Sequence, residues 1–377
     1  MQFETYPFEK LNELLADSIL NEDKNLISLT IGEPQFDTPQ FIQKALVDAT
    51  PLLNKYPKSG GEVVLREAQR SFFKKRFGVT LSDDQIIPTF GTREVLFNFP
   101  QFVLHDCDEP KMAFTNPFYQ IYEGAAIASR AEIMHIDLLP ENDFKPEINE
   151  DDFKDVDLVI INFPNNPATS VLTLDELKIW VDMALKYDFI LLNDECYSEI
   201  YTDKPPHTLL EASIACGNDD FKNVVVINSI SKRSSAPGLR SGFIAGDAKL
   251  LKNYMMYRTY VGAASPLPLQ YAAAAAWNDE EHVETSRKIY QANFKIAEDI
   301  LGIKPAEATF YLWIKVGDDE GFTKFLYENY SVKVLPGSYL GRHGVGQGYI
   351  RIALVESEAK TVAALNRLKE ALEVFNA

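Results

Sequence analysis

Cysteine and histidine are scarce in this sequence. Only three cysteines occur in the 377 residues, at Cys107, Cys196 and Cys216, and no two of them form a C-x-x-C pair. A disulfide framework is therefore not expected, and the sequence predicts a reduced, cytoplasmic protein. The five histidines lack the spacing of metal ligands, so no metal site is expected.

The sequence also lacks long apolar runs and contains fewer basic than acidic residues. No run approaches the roughly 18 apolar residues that a membrane helix requires, and the first residues, MQFETYPFEKLNELL, contain no apolar signal core. Lysine and arginine total 37 against 55 aspartates and glutamates, which gives a formal net charge of −18. Because such a chain repels nucleic acid and anionic membranes, we expect neither as a partner.

What the sequence does contain is a regular alternation of short apolar segments and helix-like stretches. This alternation predicts an α/β fold, with a large domain built on a mostly parallel sheet flanked by helices. The apolar segments are QIIPTF, KMAFTN, EIMHIDL, DLVIINFP, FILLNDE, NVVVINSIS and GFIAGD. Between two of them, Thr173 and Glu176 form a capping-box pattern that predicts the start of a crossover helix.

The length of the chain and a change of pattern near residue 270 predict a second, smaller α+β domain. A long helix there is followed by the strand-like segments TFYLWIKV and YIRIALV and by a final helix. We predict an N-terminal segment, 1–45, that joins the small domain, a large domain over 46–270, and the small domain over 271–377.

A lysine with hydroxyl neighbours follows the apolar strand NVVVIN. Ser229, Ser231 and Lys232 lie at the end of this strand, and Arg240 comes eight residues after the lysine. Ligands of open α/β sheets bind at the carboxyl ends of strands. An amine, two hydroxyls and a guanidinium at that position suit a Schiff base with a phosphorylated aldehyde. A solvated Ser/Lys loop is the alternative, whereas an S-x-x-K serine nucleophile would need S-D-N and K-T-G motifs that are missing.

Two other strand ends carry polar groups that suit the same ligand. Asp194 ends the strand FILLND, with Tyr197 three residues later, and its carboxylate can pair with a protonated pyridine nitrogen. Asn166 follows DLVIINFP and can donate to a phenolic oxygen. The alternatives are a helix-capping aspartate and a simple Asn-Pro turn.

Two further strand ends complete the set. Gly91, Thr92 and Arg93 follow one strand and would open a helix, whose first N–H groups form an anion site. Tyr119 follows another strand and can stack on a flat ring, although an aromatic core residue is the ordinary alternative. Five strand ends therefore converge on one phosphorylated aromatic cofactor.

These motifs resemble those of the fold-type-I aminotransferases of class I/II. They occur in family order from IGEP at 31–34 to RIAL at 351–354. The resemblance implies pyridoxal 5'-phosphate (PLP) as cofactor, amino-acid and 2-oxo-acid substrates, and a homodimer with shared active sites. It implies that Lys232 forms the Schiff base, that Asp194 pairs with the pyridine nitrogen, and that Tyr119 stacks on the ring. Tyr197 and Asn166 are implied to contact the ring oxygen, and the phosphate is implied to lie among Gly91, Thr92, Arg93, Ser229 and Arg240.

The resemblance also assigns residues for the substrate and for the partner subunit. Arg351 corresponds to the arginine that binds the substrate α-carboxylate, and Gly32 and Asn166 line that site. Tyr56 corresponds to the tyrosine that reaches the phosphate of the neighbouring subunit. The sequence departs from the family at two usual glycines, which are Thr169 and Thr309 here, so the shape of these two loops is open.

Three stretches resemble the bacterial N-succinyldiaminopimelate aminotransferases of lysine biosynthesis. They are YPFEKLNELL, GTREVLFNFPQF and PGSYLGR. This resemblance implies glutamate as the usual amino donor and a substrate with a distant carboxylate, for which Arg342 is the hypothetical ligand; an exposed surface arginine is the alternative. An aspartate or broad-specificity aminotransferase and a C–S β-lyase of the same fold are the alternative functions.

Overall fold

A seven-stranded sheet forms the centre of the computed structural model, which describes residues 2–21 and 23–375. Its strand order is β2-β8-β7-β6-β5-β3-β4, and the five strands from β7 to β4 run parallel, whereas β8 and β2 are antiparallel to their neighbours. These are the seven apolar segments of the sequence, so the predicted fold class is confirmed. In chain order the strands are β1 (Ile27–Ser28), β2 (Ile86–Thr89), β3 (Lys111–Asn116), β4 (Glu132–Asp137), β5 (Leu158–Ile161), β6 (Ile190–Asp194), β7 (Val224–Ser229), β8 (Gly242–Gly246), β9 (Tyr311–Lys315), β10 (Val332–Lys333), β11 (Leu335–Pro336) and β12 (Tyr349–Ala353).

Helices cover both faces of this sheet. The central strands are buried on both sides, which explains why their sequences are continuously apolar rather than alternating. The helices in chain order are α1 (Pro7–Leu14), α2 (Gln40–Asp48), α3 (Val63–Phe77), α4 (Thr92–Val103), α5 (Ile121–Ser129), α6 (Leu174–Tyr187), α7 (Leu209–Ala215), α8 (Ile230–Arg233), α9 (Ala248–Val261), α10 (Leu267–Asn278), α11 (Glu281–Leu301), α12 (Asp319–Tyr330) and α13 (Glu358–Phe375).

The predicted crossover helix α6 begins with the expected capping box. The Thr173 hydroxyl accepts the Glu176 N–H, and the Glu176 carboxylate accepts the Thr173 N–H at 2.7 Å. Helix α3 ends at Gly78, which has the left-handed conformation that glycine favours at a helix C-terminus. The capping-box pattern therefore located the start of α6 correctly.

A second core lies among the C-terminal elements. The antiparallel strands β11, β12 and β9 pack against α11, α12 and α13, with Phe322, Leu326 and Leu365 fully buried. Strand β1 from the N-terminal segment pairs in parallel with β10 and adds to this core. The N-terminal and C-terminal parts of the chain therefore meet here.

Two helices near the domain boundaries predicted at residues 45 and 270 pack against each other. Helix α2, which includes Ile42, and helix α10 with its alanine run, Ala272–Ala276, pack against each other and belong to the core of the large domain. The small alanine side chains allow this close packing. We propose that the large domain extends from about residue 40 to the junction between α10 and α11.

Several features are absent from residues 2–21 and 23–375. No helix in this part of the chain has the length and apolar character needed to cross a membrane. No group of three or more potential metal ligands is present among the same residues. The three cysteines are free thiols.

Candidate active site

A cavity of about 800 Å³ opens at the carboxyl ends of strands β3, β5, β6 and β7. Nearly all of the site residues expected from the sequence contribute to its lining, although they come from positions 32 to 351 of the chain. The expected residues that line it are Gly32, Thr92, Arg93, Tyr119, Asn166, Asp194, Tyr197, Ser229, Ser231, Lys232, Arg240 and Arg351.

Lys232 lies on α8, a single helical turn that directly follows β7. The Ser229 hydroxyl caps this turn by accepting the N–H of Ser231 at 3.0 Å. The Lys232 amine donates to the carbonyl of Gly32 and lies 5.9 Å from the centre of the Phe310 ring. The nucleophilic amine is therefore held inside the cavity by the N-terminal segment.

Asp194 ends β6 and is only 5% exposed. Its carboxylate accepts the Tyr122 hydroxyl at 3.0 Å and the backbone N–H of Cys196 at 3.2 Å. Burial raises the pKa of the Asp194 carboxyl, because the charged form loses its hydration. A cation placed beside this carboxylate would compensate that loss.

The start of α4 forms a closely packed corner of the cavity with Arg240. Gly91 has φ 76°, and a Cβ atom at this position would lie 2.5 Å from Nη2 of Arg240. Only glycine therefore lets the guanidinium pack against the turn. Thr92, the first residue of the helix, accepts the thiol of Cys196 at 3.3 Å. The first N–H groups of a helix have no partner within it, so this corner is suited to bind an anion.

Arg351 is buried on β12 at the opposite end of the cavity. Its guanidinium donates to the side-chain oxygen of Asn166 at 2.8 Å and to the carbonyl of Thr30 at 2.7 Å, and it stacks 4.4 Å from the centre of the Tyr311 ring. Its Nε atom has no hydrogen-bond partner in the described part of the chain. A buried donor of this kind is suited to a carboxylate ligand.

Two tyrosines connect this end of the cavity to the centre. The hydroxyls of Tyr197 and Tyr311 are 3.0 Å apart. Burial, and next the neighbouring Tyr311, raise the pKa of Tyr197 well above its ordinary value, so its phenol stays protonated. Gly32 packs so closely that a Cβ atom there would collide with the Tyr311 hydroxyl.

Arg93 does not point to the phosphate corner, where the sequence analysis expected it. Its Nε donates to the hydroxyl of Tyr119 at 2.8 Å, and its Nη2 lies 3.5 Å from the hydroxyl of Tyr6. The side chain is exposed and lines the cavity, so it lies at the rim. It forms no ion pair with any residue in the ranges 2–21 and 23–375.

Arg342 lies outside the cavity, and its placement argues against the hypothesis that it binds a distal carboxylate. Its guanidinium is bound by the two carboxylate oxygens of Glu123, at 2.8 and 2.5 Å, and stacks on Phe118. It lines a separate, smaller depression. The local sequence could not show this, because the glutamate is 219 residues away.

Tyr56 does not line the cavity of its own chain. It is 99% exposed, on the loop between the short helical turn at 50–54 and α3. A contact between Tyr56 and the phosphate of another subunit is therefore a proposal.

The structure adds site residues that the sequence analysis missed. Tyr122 holds Asp194, Tyr311 bonds Tyr197, and Tyr6 reaches Arg93. Tyr119 precedes α5 and Tyr122 lies on it, so their spacing gave no helical signal for the first of these. No local signal pointed to Tyr6.

Comparisons with known proteins identify the family of this chain. Residues 24–368 match the model of the family "Aminotransferase class I and II". The chain belongs to this family. It is therefore a PLP-dependent aminotransferase.

The aminotransferase has close structural relatives. It is similar to the crystal structure of aminotransferase AspB from Helicobacter pylori, with 51% identity over 99% of this chain and 100% of that one and a TM-score of 0.96. An aminotransferase from Neisseria meningitidis is 41% identical over 99% and 98% of the two chains, with a TM-score of 0.94.

Relatives with more specific names diverge in substrate. An aspartate aminotransferase from Pyrococcus horikoshii is 31% identical over 97% of this chain and 94% of its own length. An LL-diaminopimelate aminotransferase from Aquifex aeolicus is also 31% identical, over 97% and 96%. The comparisons therefore support the reaction type and leave the substrate to be proposed.

The residues of the cavity fit PLP. The Gly91–Arg240 corner suits its phosphate, and the buried Asp194 carboxylate suits a protonated pyridine nitrogen. Lys232 supplies an amine between these two points of attachment. The lining of the cavity thus contains a complementary group for each polar end of the cofactor.

Proposed function

We propose that this aminotransferase moves an amino group between glutamate and a 2-oxo acid with a second, distant anionic group. N-succinyldiaminopimelate and N-succinyl-2-amino-6-oxopimelate, in lysine biosynthesis, are the proposed pair. The observation that carries this proposal is Arg93, a cation at the rim of the cavity with no ion-pair partner among the described residues. The similarity to an LL-diaminopimelate aminotransferase supports a long dicarboxylate substrate.

Lys232 and Asp194 perform the central chemistry in this proposal. PLP, when bound, supplies an electron sink that stabilises negative charge at the substrate Cα. The Asp194 carboxylate keeps the pyridine nitrogen protonated, and the Tyr122 hydroxyl orients that carboxylate. The Lys232 Nζ accepts the proton from the substrate Cα and returns it, acting as general base and then as general acid.

Arg351 and its neighbours bind the α-carboxylate of the substrate. The Nε donor of the buried guanidinium is unpaired among residues 2–21 and 23–375, and Asn166 and Tyr311 hold the plane of the guanidinium in place. Because Arg351 is already fixed before the substrate arrives, little side-chain entropy is lost on binding. This arm fixes the orientation of the reacting carbon.

The distal anion requires a different cation. In the described part of the chain, four cationic side chains line the cavity. Three of them, Lys232, Arg240 and Arg351, have roles at the reacting carbon, the phosphate and the α-carboxylate. Arg93 remains, at the rim beside Tyr6. A long substrate that extends from Arg351 towards the N-terminal segment would place its far carboxylate at Arg93.

The first prediction tests this assignment with Arg93→Gln. The kcat/KM for N-succinyldiaminopimelate should fall by about tenfold to a hundredfold, because a charge-assisted hydrogen bond to a carboxylate is lost. Alanine, which has no distal anion, should be affected little. Steady-state kinetics with both substrates measure this difference.

Arg342→Gln is the matched control, because Arg342 is also an arginine near the cavity but is occupied by Glu123. It should not discriminate between the two substrates. An equal loss for both substrates in Arg93→Gln would show that Arg93 acts only through Tyr119 and not on the distal anion.

A substrate screen separates the remaining candidate functions. The aspartate aminotransferase relative favours a shorter dicarboxylate as the second candidate, and the same Arg93 would serve it. Mixing the holoenzyme with single amino acids and following conversion of PLP to pyridoxamine phosphate identifies the donor. Release of pyruvate and ammonia, without amino transfer, would instead indicate a β-lyase.

A further inference from the structure

A buried arginine–glutamate pair lies behind the phosphate corner of the cavity. Arg258 on α9 is bound to Glu94 on α4 through two contacts, Nε to Oε1 at 2.7 Å and Nη2 to Oε2 at 3.1 Å. The side chains are only 1% and 9% exposed. Each of these buried charges requires the other, because a buried charge without a partner is strongly unfavourable.

Glu94 fixes the turn that leads into α4. Its Oε2 accepts the backbone N–H of Phe90 at 2.7 Å, one residue before Gly91. The contact spans four residues and holds the chain in the bend from which the first helical N–H groups project. The position of the anion-binding turn is therefore set from behind by this carboxylate.

Arg258 connects the same turn to two loops. Its Nη1 donates to the carbonyl of Ser59 at 3.3 Å, and its Nη2 donates to the carbonyl of Ala263 at 2.7 Å. Ser59 follows the exposed Tyr56 by three residues. Ala263 precedes Ser265, whose hydroxyl donates to the carbonyl of Arg240 at 3.4 Å. One guanidinium thus holds together the segments that surround the phosphate corner.

Arg258 also neutralises a charge that would oppose cofactor binding. Glu94 lines the cavity near Gly91 and Thr92, and an unpaired carboxylate there would repel a phosphate dianion in a region of low dielectric. In the ion pair, the negative charge is compensated while its hydrogen bond to the turn is retained.

We propose that Arg258 and Glu94 are positioning residues for the phosphate of PLP. They do not supply the phosphate ligands themselves. Arg258 binds the Glu94 carboxylate, and Glu94 fixes the turn at Phe90 and Gly91. Because the two charges compensate each other, the pair does not repel an anion in this corner of the cavity.

The test compares PLP with pyridoxal, which has the same ring and aldehyde but no phosphate. The full-length chain is stripped of cofactor and titrated with each compound, and the dissociation constants are measured by absorbance. Arg258→Met should weaken PLP by about tenfold to a hundredfold and pyridoxal much less. Arg258→Lys should recover part of the loss, because it restores the charge without the carbonyl contacts.

A second comparison separates charge from geometry. The double variant Glu94→Gln with Arg258→Met should bind PLP better than Arg258→Met alone, because no unpaired carboxylate remains. Inorganic phosphate should likewise raise the Tm of the cofactor-free double variant more than that of the cofactor-free Arg258→Met variant. If Arg258→Met does not fold, Arg258→Lys and Glu94→Gln carry the comparison.

Glu123→Gln is the control, because Glu123 also forms a two-point pair with an arginine, Arg342, but away from the phosphate corner. It should leave the ratio of PLP to pyridoxal affinity unchanged. If the Arg258 variants lose affinity for PLP and for pyridoxal equally, so that the ratio of the two affinities is unchanged, the proposal is wrong. The pair would then be only a stabilising contact.

Discussion

At the scale of single residues, the buried carboxylate of Asp194 lowers the stability of the cofactor-free protein. Burial raises its pKa above the value in an unfolded chain. The unfolded chain therefore releases this proton at lower pH than the folded one does. The cofactor-free protein loses stability as pH rises from the unfolded pKa to the folded pKa, and this loss persists at higher pH.

The second prediction follows for Asp194→Asn. The turnover number should fall by about a hundredfold to a thousandfold, because a neutral amide cannot stabilise the protonated pyridine nitrogen. The cofactor-free variant should have a higher Tm than wild type at neutral pH, because no buried charge remains, while the amide oxygen can accept the Cys196 N–H and the amide NH2 can donate to the Tyr122 hydroxyl oxygen. Kinetics and thermal scans test both parts, and near-wild-type turnover would show that Asp194 does not tune the ring.

Two threonines that stand where the family pattern has glycine lie in the left-handed backbone region. Thr169 and Thr309, where glycines are usual, have φ values of 66° and 73°. This left-handed region is unfavourable for a β-branched residue. The Thr309 hydroxyl accepts the N–H of Tyr311 at 3.1 Å, which offsets part of the strain at that position. Both loops therefore keep the left-handed conformation that glycine adopts most easily.

At the scale of elements, α6 illustrates how one cap stabilises a helix that contributes nothing to the site directly. The box between Thr173 and Glu176 is strengthened by Lys145, whose amine binds the same glutamate at 2.8 Å. Trp180 and Val181 on its inner face pack into the large core. The exposed start of the helix is thus held by its cap and an ion pair, and its inner face by the core.

The third prediction in this series concerns Thr173→Ala. The variant should lose about 1 kcal/mol of stability, because the Glu176 N–H loses its partner at the N-terminus of the helix. Thr173→Ser, which keeps the hydroxyl, should be near wild type. Thermal unfolding measures the change, and specific activity should stay constant; a loss of activity at unchanged Tm would contradict this assignment.

At the scale of the whole molecule, one region of the surface carries large side chains that the chain itself does not cover. Tyr56 and Tyr260 are 99% and 91% exposed, and Leu53 and Met256 are also largely exposed. Exposed apolar groups near one another are typical of interaction surfaces. We propose that this surface binds a second copy of the chain and that Tyr56 reaches the phosphate of that copy.

A subunit-mixing experiment tests the shared site. Tyr56→Phe and Lys232→Ala chains, each impaired alone, are mixed under conditions that allow exchange. In a heterodimer, the chain that keeps Lys232 receives an intact Tyr56 from its partner, so one functional site should form. Activity above that of either parent is the expected result, whereas the simple average of the two parents would contradict a shared site.

The sequence by itself determined the strands, the capped helices and the residues at the strand ends. These features depend on neighbouring residues: an apolar run ends in a polar side chain, and Thr173 caps a helix that begins at the next residue. Parallel strands align their carboxyl ends, so Lys232, Asp194 and Asn166 had to lie near one another once the sheet formed. This local information indicated a phosphorylated aromatic cofactor, and the resemblance to the class I/II aminotransferases implied the reaction type.

Only the tertiary structure decided which partners these side chains meet. Tyr122 reaches Asp194 across 72 residues, and Glu123 takes up Arg342 across 219. Arg93 turns towards Tyr6 rather than the phosphate corner, and the alanine-rich helix α10 packs into the large domain. Each outcome depends on the packing of elements far apart in the chain. Local periodicity specifies which face of an element is apolar, but not which distant element will cover it.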